Sequence, residues 1–213
     1  MSRTQRHRGE TMRKLLVTSF LTLDGVSQAP GGPEEDESGG FTHGGWSVSY
    51  WDETMDGVMG AIMGKPYDLL LGRRTYDIFA GYWPQHADEG GGQSLNTATK
   101  YVVSASHPEL PWGPAVLIER DVPAEIAKLK EGDGPELQVH GSGNLVQTML
   151  RHGLIDEFHL HVFPVLLGSG RRLFADGTIP AGLKMVDSKT SATGVFSATY
   201  TPAGELTTGT FEG

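Results

Sequence analysis

Two short segments of the chain combine residue types that bind phosphate groups. LGRRT (residues 71–75) and VHGSGNL (residues 139–145) each follow a short apolar run and precede a helix-like segment. Glycine lets a phosphate approach the backbone, and arginine binds phosphate through two nitrogens. A helix that begins at such a turn also presents unpaired N–H groups and the positive end of its dipole. The two segments therefore predict anion binding at the ends of two strands, with solvated arginines and a tight turn as the alternative.

The second segment is not a complete dinucleotide-binding fingerprint. The pattern G-x-G-x-x-G fails because Val146 occupies the position of its third glycine. A Rossmann fold of the usual kind is therefore unsupported. Small residues at a helix N-terminus remain suited to a diphosphate.

Carboxylates lie in a second candidate region. Apolar residues recur at spacings of three and four over residues 47–63, which predicts an amphipathic helix that carries Asp52, Glu53 and Asp56. Asp52 and Asp56 are four apart and share one face of that helix. One of them could enter a pocket and hydrogen-bond an aminopyrimidine-like ring, or each could belong to a solvated helix face.

His159 and His161 alternate along a strand-like run, so both imidazoles point to one face of the sheet. A metal ion would need a third ligand, and nothing nearby offers an obvious one. A polar sheet face or an interface is favoured, and no metal site is predicted.

The elements that position these residues alternate between strand and helix through the middle of the chain. Two strand-like runs, residues 183–189 and 195–201, resemble a terminal hairpin. The pattern predicts an α/β three-layer fold with a mixed sheet. Residues 1–11 are expected to be a disordered basic extension, residues 12–205 one domain and residues 206–213 a flexible tail. Residues 28–45, rich in glycine, proline and acids, predict a long loop that is either a lid or disordered.

The composition of the chain excludes several classes of binding partner and of site. There are 17 Lys and Arg against 26 Asp and Glu, and a formal net charge of −9 argues against nucleic acid. Cysteine is absent, which excludes disulfides, thiolate zinc sites and cysteine nucleophiles. The apolar stretch of residues 162–167 is far too short to span a bilayer. The expectation is a cytoplasmic protein with no membrane or nucleic-acid partner.

Four segments carry a family resemblance: SFLTLDG (19–25), LLLGRRTYDIFAGYWP (69–84), KYVVSAS (100–106) and VHGSGNLVQTMLRHGLIDEFHLHVFPVLLGSGRRLF (139–174). Together they resemble the dihydrofolate-reductase-like family, and most closely the C-terminal reductase domain of the bifunctional riboflavin-biosynthesis deaminase/reductase. The similarity covers about residues 13–201. It implies a three-layer α/β fold with a central mixed sheet of about eight strands, flanking helices and a C-terminal antiparallel hairpin.

The same resemblance implies NADPH as hydride donor to a pteridine- or pyrimidine-type heterocycle, as in dihydrofolate reductase or 5-amino-6-(5-phosphoribosylamino)uracil reductase. The implied cofactor residues are Gly72, Arg73, Arg74 and Thr75 for the phosphates, Ser104, Ala105 and Ser106 near the adenosine, and Gly141, Ser142, Gly143, Asn144 and Leu145 beside the diphosphate. Asp56 or Asp52 would hold or protonate the heterocycle. The other implied substrate residues are Phe20, Asp24, Trp46 and Tyr50.

The chain departs from the family at two places. Dihydrofolate reductases have a glycine pair where this chain has Gly141-Ser142, and a Pro-Trp element before the helix acid that is missing here. Family relatives commonly pair through the sheet and the C-terminal region, so a homodimer is expected. The competing function is a non-catalytic nucleotide- or ligand-binding module on the same fold.

Overall fold

The computed structural model describes residues 12–211, so the predicted extension of residues 1–11 lies outside the described residues. The elements are β1 (Leu15–Thr22), α1 (Glu53–Met63), β2 (Tyr67–Gly72), α2 (Arg73–Tyr82), α3 (Gly92–Thr97), β3 (Lys100–Val103), β4 (Ala115–Ile118), α4 (Val122–Glu131), β5 (Glu136–His140), α5 (Gly143–Arg151), β6 (Glu157–Phe163), β7 (Gly182–Thr190) and β8 (Phe196–Gly204). Single 3-10 turns lie at Val48–Tyr50 and Trp83–Gln85.

The eight strands form one mixed sheet in the order β4-β3-β2-β5-β1-β6-β8-β7. The six strands from β4 to β6 in that order are parallel, and β8 pairs antiparallel with both β6 and β7. The predicted mixed sheet and its C-terminal antiparallel hairpin are confirmed.

Alternating residues of β1 place apolar side chains on both faces of the sheet. On one face, Val17 packs with Leu137 of β5 and with Val146 and Met149 of α5. Beyond the carboxyl end of β1, residues of the following loop, among them Val26, Phe41 and Trp46, form a separate apolar cluster with Met55 of α1. Each fully buried side chain of this size contributes roughly 1.5–3 kcal/mol, so helices on both faces are held firmly against the sheet.

The parallel strands bring their carboxyl ends to one edge of the sheet. Gly72 ends β2, Val103 ends β3 and His140 ends β5, and these strands are neighbours. The turns that follow β2 and β5 each lead directly into a helix. In open α/β sheets this edge is where ligands bind. Within residues 12–211, none of the helices has both the length and the apolar character needed to cross a membrane.

Candidate functional site

A large cavity of about 1720 Å³ lies at the carboxyl ends of the central parallel strands. Its polar wall is built by residues 18–20, 27–36, 72–75, 140–145 and 170–172. Its apolar wall is built by α1, α2, α3 and residues next to them, and consists of Trp51, Met59, Met63, Ile78, Phe79, Tyr82, Trp83 and Leu95. A cavity with a polar end and an aromatic end suits a ligand that has both charged groups and flat rings.

The turns after β2 and β5 are joined by one hydroxyl group. Ser142 Oγ accepts a hydrogen bond from the Gly72 N–H at 2.9 Å and donates to Thr75 Oγ1 at 2.9 Å. Ser142 has a φ of +55°, which places it in the left-handed region that favours glycine. Among the described residues the one cis peptide bond is Gly113-Pro114, so the Gly141-Ser142 bond is trans. The two turns therefore form a single unit.

Two helix N-termini open into the cavity. α2 begins at Arg73 and α5 at Gly143, and neither has a side chain that caps its first turn. The first N–H groups of both helices are consequently free for a ligand, and both dipoles favour negative charge there. Gly141 precedes α5 with a φ of +60°, in the left-handed region that favours glycine. The donor set fits a diphosphate.

Arginines add positive charge at the same end. Arg73 forms an ion pair with Asp77 at 2.6 Å. Arg74 lies 3.6 Å from the carboxylate of Asp36, which is also paired with Arg171. Burial would raise the pKa of Asp36, but hydrogen bonds from Ser38 and the charges of Arg171 and Arg74 hold it below its ordinary value. Arg171 carried no predicted role, although the residue types of 168–174 could have suggested one.

Nine of the predicted cofactor residues line this cavity, namely Gly72, Arg73, Arg74, Thr75, Gly141, Ser142, Gly143, Asn144 and Leu145. The other three do not. Ser104 follows Val103, which is in the wall, and its hydroxyl accepts from the Ser106 N–H at 3.2 Å. Ser104, Ala105 and Ser106 thus form a turn beyond the edge of the cavity.

The two helix carboxylates are placed outside the cavity wall. Asp52 is the N-cap of α1, with Oδ1 accepting from Met55 N at 3.0 Å and Oδ2 from Thr193 N at 3.4 Å. The Met55 N–H lowers the pKa of Asp52 below its ordinary value. Asp56 is exposed and accepts from the indole N–H of Trp51 at 2.6 Å. Asp52 therefore starts the helix, and Asp56 orients an aromatic ring of the wall.

Of the predicted substrate residues, only Phe20 lies in the wall, where its ring contacts Trp51 edge-on at 5.7 Å between centroids. Trp46 is buried, and its indole N–H donates to Gln28 O at 2.7 Å. Tyr50 packs against the neighbouring core rather than lining the cavity.

Asp24 holds a turn. It accepts from Thr22 Oγ1 at 2.5 Å and from Gly168 N at 2.7 Å, and the Thr22 hydrogen bond lowers its pKa. Asp24, like Trp46, thus shapes the loops around the cavity without reaching into it.

Two histidines of the sheet, His140 and His161, are neutral near pH 7 because burial disfavours the charged imidazole. Burial lowers the pKa of His140, in the cavity wall, to about 4 and that of His161 to about 3. His161 Nδ1 lies 2.9 Å from Ser197 Oγ, and its ring meets Phe20 edge-on. Across residues 12–211, no three His, Cys, Asp or Glu side chains come together as a metal site.

The loop after β1 was the least determined part of the sequence and forms one wall of the cavity. Gln28 anchors it, since its amide donates to Asp36 O and Ser38 O, each at 2.9 Å. Residues 27–36 line the cavity as a result. Glu35, which the sequence analysis did not single out, lies in this wall.

The sheet order, the turns after β2 and β5, and the hairpin together define a dihydrofolate-reductase-like α/β protein. The dihydrofolate reductase of Enterococcus faecalis, complexed with NADP(H) and RAB-propyl, matches with a TM-score of 0.57 at 12% identity, over 89% of this chain and 96% of that one. A putative riboflavin biosynthesis protein from Shewanella sp. PV-4 matches with a TM-score of 0.64 at 24% identity, over 89% and 98%.

The sequence model of the RibD C-terminal domain matches residues 13–197. The chain belongs to this family. The uncharacterized protein YyaP of Bacillus subtilis (strain 168) is 29% identical over 194 residues, which cover 88% of this chain and 94% of YyaP.

Proposed function

We propose that this chain is an NADPH-dependent reductase that transfers a hydride to a small heterocyclic substrate of the pteridine or pyrimidine type. One observation supports the proposal most strongly: two uncapped helix N-termini, joined by Ser142 and flanked by arginines, face a single cavity that also has an aromatic wall. A cytoplasmic location is part of the proposal.

The residues present fit the cofactor in three places. The free N–H groups at the start of α5 would receive the diphosphate, and Arg73 or Arg74 would receive the 2′-phosphate. The nicotinamide would then extend toward Phe20, near the carboxyl end of β1. NADPH supplies the hydride when bound. The protein orients the reactants, and its aromatic wall excludes water from them.

The aromatic wall would receive the substrate. Phe20 and Trp51 meet edge-on, with 70° between their ring planes, and line the cavity together with Met59 and Met63 of α1. Flat rings pack well against such side chains. Asp56 holds Trp51 in place through its indole N–H, which gives this carboxylate an indirect part in substrate binding.

The proposal is tested by titrating the full chain with NADPH and with NADH while following thermal unfolding. At a hundredfold excess over Kd, bound ligand stabilises the fold by about 2.7 kcal/mol. For a chain of this length that free energy raises Tm by roughly 5–11 °C. We expect a clear shift with NADPH and a small one with NADH. No shift with either would contradict the proposal.

Arg74→Ala separates the 2′-phosphate site from general charge effects. A charge-assisted hydrogen bond contributes about 1.5–3 kcal/mol, so NADPH binding should weaken about 10- to 100-fold while NADH binding changes little. Arg151→Ala is the matched control, because Arg151 is an exposed arginine at the end of α5 that does not line the cavity. Equal losses for both cofactors would exclude Arg74 as the 2′-phosphate residue.

The second candidate function is a non-catalytic nucleotide-binding module. The position of Asp52 and Asp56 outside the cavity wall favours it. It predicts the same thermal shift with NADPH but no loss of absorbance at 340 nm with any member of a panel of pterins and pyrimidines. The reductase predicts NADPH oxidation with at least one of them.

We also propose that the chain forms a homodimer through its C-terminal hairpin. β7 is an edge strand that is exposed along almost its whole length, and Leu183, Met185 and Val186 are exposed on it. Long exposed edge strands with apolar side chains are prone to pair with another chain. Light scattering should give twice the chain mass of 22.9 kDa. Met185→Lys should return the monomer mass.

A further inference from the structure

The cavity wall contains several carboxylates, which differ in their ion pairs and in their exposure to water. Asp36 is paired with Arg171, and Asp77 is paired with Arg73. Glu34 and Asp176 are exposed, so water screens them from a ligand. Glu35 alone among the acids of the described wall is partly buried and has no ion pair within residues 12–211.

The Glu35 carboxyl is held by one of its two oxygens. Oε2 accepts from the backbone N–H of Gly31 at 2.6 Å and of Gly32 at 3.3 Å. A Cβ added to Gly31 would lie 3.2 Å from this oxygen, so a larger residue there would crowd it. No described residue hydrogen-bonds Oε1. The carboxyl is fixed at one oxygen and free at the other.

The backbone around Glu35 is fixed as well. Gln28 is 5% exposed, and its amide binds the carbonyls of Asp36 and Ser38 on the far side of Glu35. The backbone carbonyl of Gln28 accepts a hydrogen bond from the Trp46 indole N–H. Because the loop is already anchored, Glu35 is held in the wall before a ligand binds, and binding does not cost the free energy of ordering this loop.

His140, the imidazole in the wall, does not offer the same chemistry. It is neutral, since burial lowers its pKa to about 4, and its Nε2 lies 3.1 Å from Gln138 Oε1. Burial has the opposite effect on Glu35, because it raises the pKa of the carboxyl although the Gly31 and Gly32 N–H groups oppose the shift. A carboxyl with a raised pKa retains a proton at higher pH than an ordinary glutamate.

We infer that Glu35, rather than either carboxylate of α1, is the group that binds and protonates the heterocycle. The inference rests on the proposed function. Oε1 accepts an N–H of the ring, or its proton passes to a ring nitrogen. When a C=N bond of the substrate takes the hydride at carbon, the electron pair moves to nitrogen, which takes the Glu35 proton. The carboxylate left behind is reprotonated by solvent.

The test uses 2,4-diaminopyrimidine, whose ring nitrogen accepts a proton and whose absorption spectrum changes when it does. The probe is added to the NADPH complex of the full chain, at a pH at which the free probe is neutral. We expect the protonated spectrum with the wild type and its loss with Glu35→Gln, together with at least tenfold weaker binding. Glu35→Ala, a second variant, should show the same loss.

Glu37→Gln is the matched control, because Glu37 is an exposed acid in the same loop and is not in the cavity wall. It should keep both the spectrum and the affinity. Asp52→Asn removes a rival carboxylate outside the cavity wall and should also keep the protonated spectrum. Asp56→Asn removes the other rival; because Asp56 orients Trp51, binding of the probe should weaken, but the spectrum of the bound probe should stay protonated. The inference is overturned if Glu35→Gln retains that spectrum, if either rival variant loses it, or if the probe does not bind the wild-type NADPH complex. Failure to bind NADPH at all, measured first on the same samples, instead removes the proposed function.

Discussion

Ser142 offers the sharpest test of how the turns after β2 and β5 are built. Ser142→Ala removes the hydroxyl that accepts from the Gly72 N–H and donates to Thr75. A lost hydrogen bond with an unsatisfied partner costs about 1–3 kcal/mol. Water from the cavity can reach the partly buried Gly72 N–H, so we expect the lower part of that range, about 1–2 kcal/mol. Alanine must also adopt the left-handed φ of +55°, so Ser142→Ala does not relieve the backbone strain at this position.

Ser142→Gly loses the same two hydrogen bonds but relieves the left-handed strain, which is roughly 1 kcal/mol for a residue with a Cβ. In thermal unfolding experiments, the Tm of Ser142→Ala should therefore be roughly 2–8 °C below that of the wild type. The Tm of Ser142→Gly should fall by less. Both variants should also bind NADPH more weakly, because the turns are no longer held together. Equal Tm values for the wild type and Ser142→Ala would refute the view that this hydroxyl joins the turns.

Two further predictions concern stability. Arg13 and Asp68 form an ion pair whose side chains are only 4% and 13% exposed, so Arg13→Met should lower the free energy of unfolding by about 3–5 kcal/mol. The control is Lys14→Met, because the Lys14 side chain is 65% exposed; it should lower that free energy by no more than about 1 kcal/mol. Similar losses for the two variants in urea unfolding would argue against a buried ion pair. Lys100 is fully buried with Nζ 4.2 Å from the Trp112 ring, and burial lowers its pKa to about 8. Between pH 8 and pH 10 the unfolded state binds more protons at this lysine than the folded state, so Tm should rise with pH in that window, and Lys100→Met should remove that part of the rise.

The sequence predicted the strands and most helices because their apolar residues repeat with clear periods. The helix predicted over residues 47–63 begins only at Glu53, since Asp52 adopts an extended conformation and caps the helix there. The sequence indicated no helix at α3. It is anchored near its end by Asn96, which donates to Trp83 O and accepts from the Trp112 indole. Those partners are far away in sequence, so no local pattern indicates them.

For the candidate site, residue types predicted the two turns of the cavity wall but not Glu35, the acid that we propose. Glycines, arginines and a helix start are adjacent in sequence, which is why residues 72–75 and 141–145 were predicted and lie in the cavity wall. Asp52 and Asp56 share a helix face, but helical spacing does not reveal whether that face meets a cavity. Glu35 lies in a loop without periodicity, and its position depends on Gln28 and Trp46.

The place of β1 in the sheet has a consequence for synthesis of the chain. β1 lies between β5 and β6, and the Leu15 N–H is bound by Asp156, 141 residues later. At about 5–20 residues per second, a ribosome needs on the order of 10 s to make that intervening chain. For most of this interval, until β5 is made, the apolar sequence LLVTSFLT has neither of its neighbouring strands. Pairing between such distant segments also slows folding once the chain is complete. Nascent chains that stop before β5 therefore expose an unpaired apolar strand, which makes them targets for chaperone binding or aggregation.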